Sequence, residues 1–203
     1  TSTQTVTSRR YGEEKFNRCG QSLQHGHIIA LLAGIPATCF MYIYTPSILL
    51  SLISQNEIAQ LAIDYAMFVV PSIYFMYGSF VFQGFYNGIK MTRIHMMVMV
   101  TANLLNVYLN AGFIYGSNHI SIFLDKFHLG FLSFLWQIID FPEMYVEGAG
   151  LATMIASIAM FFMYAVFLFM PQIKNQFQCF TLQINQIILK RHIILTYPLY
   201  HKN

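Results

Sequence analysis

Long runs of residues without any charged side chain dominate the sequence. Four such runs occur, at positions 19–56, 65–89, 94–124 and 148–173. Each run contains the roughly 20 predominantly apolar residues that an α-helix needs to cross a bilayer. An ionised side chain at the centre of such a helix would cost about 2.5–3.5 kcal/mol. The pattern therefore predicts four transmembrane helices, at about 27–52, 62–89, 94–115 and 148–170.

Composition supports this fold class. Of the 203 residues, 56% are hydrophobic and only 9% are charged, whereas soluble domains carry about 25% charged residues. A soluble core could hold one charge-free helix of this length, but four in so short a chain indicate an all-α membrane protein. The cysteines Cys19, Cys39 and Cys179 are odd in number and lack ligand spacing, so they predict neither a disulfide framework nor a zinc site.

The basic residues predict the orientation of the helices. Ten of the 11 Lys and Arg residues precede the first helix, join the second and third, or follow the fourth, and only Lys126 lies on the opposite side. Because basic loops stay in the cytoplasm, the side with ten should be cytoplasmic. The net charge of +3 does not indicate nucleic-acid binding, since these residues sit between membrane spans. The lipid bilayer is the expected partner, and the plasma membrane the expected location.

The connection at 116–147 is long and should lie outside the cell. Its middle, 127–139, is an uncharged run that includes Trp136. This run is too short to cross the bilayer, so the sequence predicts an interfacial or re-entrant helix there.

Several polar side chains fall inside the predicted helices, where they are costly and often functional. Asn103, Asn106 and Asn110 lie at i, i+3 and i+7, which places them on one helical face. This stripe could act as interhelical glue or as a ligand set for a cation. Gln83 and Asn87 end the second helix, and together with Asn103 they are candidates for lining a substrate cavity.

Small residues and one histidine in the helices are assigned to packing. Gly84 and Gly88 form a small-xxx-small pair that lets two helices approach closely. The same role is expected of Gly148, which opens a small-residue patch ending at Thr153. His95 lies near the cytoplasmic boundary, where interfacial packing is favoured over a role in proton transfer.

Four stretches resemble the multidrug and toxic compound extrusion (MATE) transporters, in the order of that family. The stretch 81–93, VFQGFYNGIKMTR, resembles the end of the fourth helix and the following loop. The stretch 103–116, NLLNVYLNAGFIYG, resembles the fifth helix, and 146–153, VEGAGLAT, the start of the sixth. The opening stretch 5–12, TVTSRRYG, resembles the end of the second helix and its loop.

This resemblance implies a domain layout. MATE transporters have twelve helices in two six-helix lobes, of which this chain would hold helices three to six of the first lobe. Residues 1–26 would be the end of a preceding helix and a cytoplasmic loop, and 27–170 the transmembrane bundle. Residues 171–203 would be the loop between the lobes and the start of the next helix. The chain is therefore expected to be a piece of a longer protein, and the remaining lobe its partner.

The resemblance also implies a function, namely efflux of amphipathic or cationic drug-like compounds in exchange for Na⁺ or H⁺. No other cofactor is expected, and no catalytic residue. In several MATE proteins a cation site combines an Asp on helix one, an Asn and an Asp on helix five, and a Thr on helix six. Asn106 and Thr153 match the Asn and the Thr. Asn110 stands where the helix-five Asp would be, and an amide cannot carry a proton.

Three other functions remain open. A lipid-linked oligosaccharide flippase of the same superfamily would need basic residues facing its cavity to hold phosphate, and none lies within the predicted helices. A membrane-embedded enzyme such as a lipid phosphotransferase would need paired carboxylates for metal, whereas Asp64 stands alone. A non-transporting membrane scaffold would be excluded by transport activity.

Overall fold

The computed structural model describes residues 1–177 and 179. Every regular element in this part of the chain is helical. In chain order the elements are α1 (Ser2–Gly12), α2 (Phe16–Leu52), α3 (Asn56–Gly88), α4 (Thr92–Lys126), a 3₁₀ turn (Gly130–Leu132), α5 (Phe134–Gln137), α6 (Tyr145–Phe167) and α7 (Pro171–Phe177). The helices α2, α3, α4 and α6 are long and apolar enough to cross a membrane. This confirms the predicted all-α membrane fold with four spanning helices.

The first long helix starts earlier than the sequence predicts. It begins at Phe16 instead of near residue 27, because polar residues in its first turns pack against protein. The Arg10 guanidinium of α1 donates to the hydroxyl of Ser22 at 2.6 Å, and the Cys19 side chain is completely buried. A prediction from apolar runs finds the part of a helix that faces lipid. It misses helical turns that are polar and buried against other parts of the protein.

The third predicted helix, 94–115, corresponds to the part of α4 before a sharp break. Gly116 has φ 70° and ψ 157°, a combination that glycine adopts readily and other residues do not. Helical backbone then resumes and runs to Lys126. The predicted loop at 116–147 is therefore helical in its first third. Its predicted outer helix is present as two short segments, the 3₁₀ turn and α5.

The described chain divides into two compact units. Unit 1 comprises 1–36, 74–99 and, at the end of the described chain, 160–177 with 179. Its core brings together side chains from α1 to α4, α6 and α7, and Phe85, Tyr86, Tyr164 and Phe177 are its largest fully buried rings. The start of a further helix, predicted at the end of the segment 171–203, lies outside the described residues.

Unit 2 comprises 37–73 and 100–159. Its core is small and is built around Leu109, Phe141 and Ala152. Hydrogen bonds tie the segment after α5 to α4, since the amide of Met144 donates to the carbonyl of Phe113 at 2.8 Å.

Within unit 1, α1 packs closely against α3 at two glycines of α3. A β-carbon on Gly88 would lie 2.6 Å from the β-carbon of Thr7. One on Gly84 would collide with the hydroxyl of Thr1 and lie 3.0 Å from the amide of Gln4. The close helix–helix approach predicted from this glycine pair is therefore confirmed. In unit 2, Gly148 lies directly against the backbone of Phe113, as its predicted packing role requires.

Candidate cation site and polar clusters

Two of the three asparagines on α4 form a pair in unit 2. The Asn110 amide nitrogen donates to the Asn106 side-chain oxygen at 2.9 Å, and both side chains are half-buried. The spacing of one helical turn that the sequence shows is thus a direct contact. The amide oxygen of Asn110 and the second lone pair of the Asn106 oxygen remain as acceptors. Asn103 lies on the same helix and is exposed.

Thr153, the third candidate cation ligand, lies on α6 and is half-buried. Its hydroxyl donates to the carbonyl of Ala149 at 2.9 Å, one turn earlier in the same helix. Its own carbonyl accepts from the hydroxyl of Ser157 at 2.8 Å. The hydroxyl oxygen keeps its lone pairs for a cation. Among the described residues, no hydrogen bond joins Thr153 to Asn106 or Asn110.

The candidate cavity residues fall into different units. Gln83 and Asn87 belong to unit 1, whereas Asn103 belongs to unit 2. The side-chain oxygen of Asn87 is buried and has no hydrogen-bond partner. Such an orphaned acceptor is unusual, because buried polar groups are almost always paired. Asn87 is thus the member of this set with an unmet hydrogen-bonding requirement.

A hydrogen-bonded chain in unit 1 joins three helices through His95. Its Nε2 lies 2.9 Å from the Gln83 side-chain nitrogen, and its Nδ1 lies 2.6 Å from the Tyr164 hydroxyl. The Tyr86 hydroxyl in turn donates to the carbonyl of Tyr164 at 2.8 Å. With the Gln83 amide in this orientation its nitrogen donates to Nε2, and a neutral His95 would then carry its proton on Nδ1.

The sequence-based assignment of His95 to interfacial packing missed this chain. A histidine at the start of a charge-free run was the available signal, but its partner Tyr164 is distant in sequence.

Two titratable groups outside the spanning helices have shifted pKa values. Hydrogen bonds from Lys15 and Arg9 lower the pKa of the exposed Glu13 carboxyl. Burial raises the pKa of the Cys179 thiol to about 12. In the described part of the chain, no three His, Cys, Asp or Glu residues cluster in a way that could hold a metal ion.

Comparisons with known proteins place these helices in a family. The MatE family model matches residues 1–111. The mouse protein named multidrug and toxin extrusion protein 1 (Mus musculus) is 31% identical over 113 residues, which is 55% of this chain and 19% of that protein.

A solved structure has the same fold. It is described as the inward-facing conformation of a multidrug resistance MATE family transporter of the MOP superfamily. It aligns with a TM-score of 0.69 and 22% identity over 95% of this chain and 38% of its own. The chain thus spans well under half the length of the proteins it matches. Since the family model covers more than half of this sequence, the chain belongs to the MatE family of membrane transporters.

Proposed function

We propose that the natural protein carrying this chain exports amphipathic, often cationic compounds across the plasma membrane in exchange for Na⁺ or H⁺. The observation that carries the proposal is the MatE match over residues 1–111. The mouse relative, named for multidrug and toxin extrusion, supports the substrate class. Transport requires no bond making or breaking, so we assign no catalytic residue.

Asn106, Asn110 and Thr153 are the proposed cation ligands. Hard cations take oxygen ligands, among them amide oxygens, and each of these side chains has an oxygen with a free lone pair. Three neutral oxygens are too few for a tight Na⁺ site, so a carboxylate from outside this chain would complete the site. For H⁺ coupling that carboxylate would have to carry the proton, because an amide cannot.

Gln83, Asn87 and Asn103 are the proposed polar contacts to substrate. Asn87 is the strongest of these candidates, because its buried oxygen lacks a donor and a substrate ammonium group would supply one. Drug-sized ligands bind mainly through apolar and aromatic contacts, with a few polar groups that fix orientation.

Exchange would follow from differential affinity. If the cation and the drug prefer different conformations, binding of one releases the other. In secondary transporters such conformations commonly arise when two repeats move about a shared site. We therefore propose that the remaining lobe of the transporter is the functional partner of this chain.

The distribution of charge supports the proposed orientation. All described Lys and Arg residues except Lys126 belong to unit 1, whereas six of the eight Asp and Glu residues belong to unit 2. We propose that the loops of unit 1 face the cytoplasm, in line with the preference of basic loops for that side.

The cation site is tested by substitution in the natural protein. Asn106→Ala and Thr153→Ala should each lower cation-dependent efflux of ethidium from cells by about tenfold, a typical coupling loss. The matched control is Asn118→Ala, an exposed amide on α4 that is not among the proposed ligands. Normal efflux by both site variants at normal expression would show the site assignment to be wrong.

A further inference from the structure

A cavity of about 590 Å³ opens in unit 2, where α4 meets the segment that contains α5. Its walls carry the aromatic side chains Tyr115, Phe123 and Trp136. One carboxylate, Glu143, and one imidazole, His119, also line it. The volume falls within the roughly 300–1,000 Å³ typical of small-molecule sites. This cavity occupies the region at 116–147 to which the sequence assigned no function.

Hydrogen bonds hold the aromatic wall in place. The indole nitrogen of Trp136 donates to the carbonyl of Tyr108 at 3.1 Å. The hydroxyl of Ser117 donates to the carbonyl of Trp136 at 2.8 Å and accepts from the amide of Phe141 at 2.9 Å. The Trp136 ring is therefore fixed from both its backbone and its side chain. A pre-formed wall of this kind lowers the ordering cost of binding a ligand.

Glu143 gives the cavity its charge preference. A β-carbon on Gly116 would lie 3.3 Å from that of Glu143, so the break in α4 brings the carboxylate beside the helix. The Glu143 carboxylate lies 3.3 Å from the Nδ1 of His119, and these side chains are 32% and 63% exposed. The cavity therefore places a carboxylate among aromatic rings.

We propose that this cavity binds an amphipathic organic cation, with its apolar body against Tyr115, Phe123 and Trp136 and its positive group at Glu143. Aromatic faces attract cations through their quadrupole, and a nearby carboxylate adds Coulomb attraction. The inference rests on the proposed export function only for the ligand class. It adds a second binding site, separate from Asn106, Asn110 and Thr153.

Trp136 is the only tryptophan in the chain and reports on the cavity directly. The purified natural protein in detergent micelles, with any tryptophan outside this chain replaced by phenylalanine, is titrated with tetraphenylphosphonium, and with tetraphenylborate as an anion of the same shape. The phosphonium should give a saturable change in Trp136 emission, whereas the borate should not. Glu143→Gln should weaken phosphonium binding by about tenfold, which corresponds to about 1.4 kcal/mol.

Two further variants separate charge at the site from charge nearby. Glu147→Gln removes an exposed carboxylate that does not line the cavity, and it should leave binding unchanged. His119→Asn removes the imidazole that lies beside Glu143 and should preserve or strengthen binding. Equal binding of the borate, or unchanged binding in Glu143→Gln, would overturn the proposal.

A lipid acyl chain is the competing occupant. Brominated phospholipid added to the micelles should quench Trp136, and tetraphenylphosphonium should relieve that quenching by displacing the chain. Quenching that the phosphonium cannot relieve would mark a lipid groove and overturn the proposal. The assay measures binding alone. If the phosphonium does not bind but the natural protein exports drugs, only the cavity proposal is wrong. If the phosphonium binds but no export occurs, only the proposed function is wrong.

Discussion

Several polar side chains inside the helices form hydrogen bonds within their own helix. Thr153 and Ser157 bond carbonyls of their own helix, and Asn110 bonds Asn106 one turn away. Sequence spacing can predict such contacts, because both partners share a helix. It cannot predict the contact between His95 and Tyr164, which lie on different helices and are 69 residues apart in the sequence.

The His95 chain should contribute to stability. His95→Phe would leave the half-buried Gln83 amide and the buried Tyr164 hydroxyl without their partner. An unsatisfied buried group costs about 1–3 kcal/mol. We expect a lower midpoint of thermal unfolding in detergent. His95→Gln should recover part of the loss, since its amide can bond one of the two partners.

The matched control for this variant is His119→Phe, which changes an exposed histidine. It should leave the unfolding midpoint close to that of the unchanged protein. Equal midpoints for His95→Phe and His119→Phe would show that the hydrogen-bonded chain adds nothing to stability.

At the scale of elements, apolar runs located the helices and missed some of their ends. The α3 helix begins at Asn56 instead of residue 62, and its first turns include the bonded polar pair Gln60 and Asp64. The break at Gly116 falls where the third predicted helix stops, although the uncharged run continues to 124 and α4 continues to Lys126. The spacing of Gly84 and Gly88 predicted helix packing correctly, because α1 packs against α3 at these two glycines.

The packing of α1 on α3 makes Gly88 intolerant of any side chain. The β-carbon in Gly88→Ala would lie 2.6 Å from that of Thr7, so α1 would have to shift. Overpacking of this kind costs about 1–3 kcal/mol. We expect Gly88→Ala to lower the midpoint of thermal unfolding in detergent. The measurement is the fluorescence of a thiol-reactive dye, which labels the buried cysteines as unfolding exposes them.

Gly12→Ala provides the control, because nothing lies within 4 Å of a β-carbon at that position. It should unfold at the midpoint of the unchanged protein. If Gly88→Ala were as stable as Gly12→Ala, the close approach of α1 and α3 would be wrong.

At the scale of the whole molecule, composition and charge carry most of the information. A charged fraction of 9% is enough to assign the membrane class, and the motifs at 81–93 and 103–116 are enough to suggest the family. The cavity around Trp136 and Glu143 was not predictable, because it depends on how the segment after α5 bonds to α4. A loop whose apolar residues show little periodicity can adopt many conformations, and the hydrogen bonds that fix this one are not visible in the sequence.

The central claim is that the natural protein carrying this chain couples export of organic cations to a cation gradient. Its most direct test is ethidium flux into liposomes that contain the purified natural protein, with Na⁺ or H⁺ gradients imposed separately. We expect ethidium to accumulate in liposomes that hold one of these cations at the higher concentration inside. The accumulation should stop when an ionophore collapses that gradient. Ethidium flux that is absent, or equal with and without every gradient, would contradict the claim.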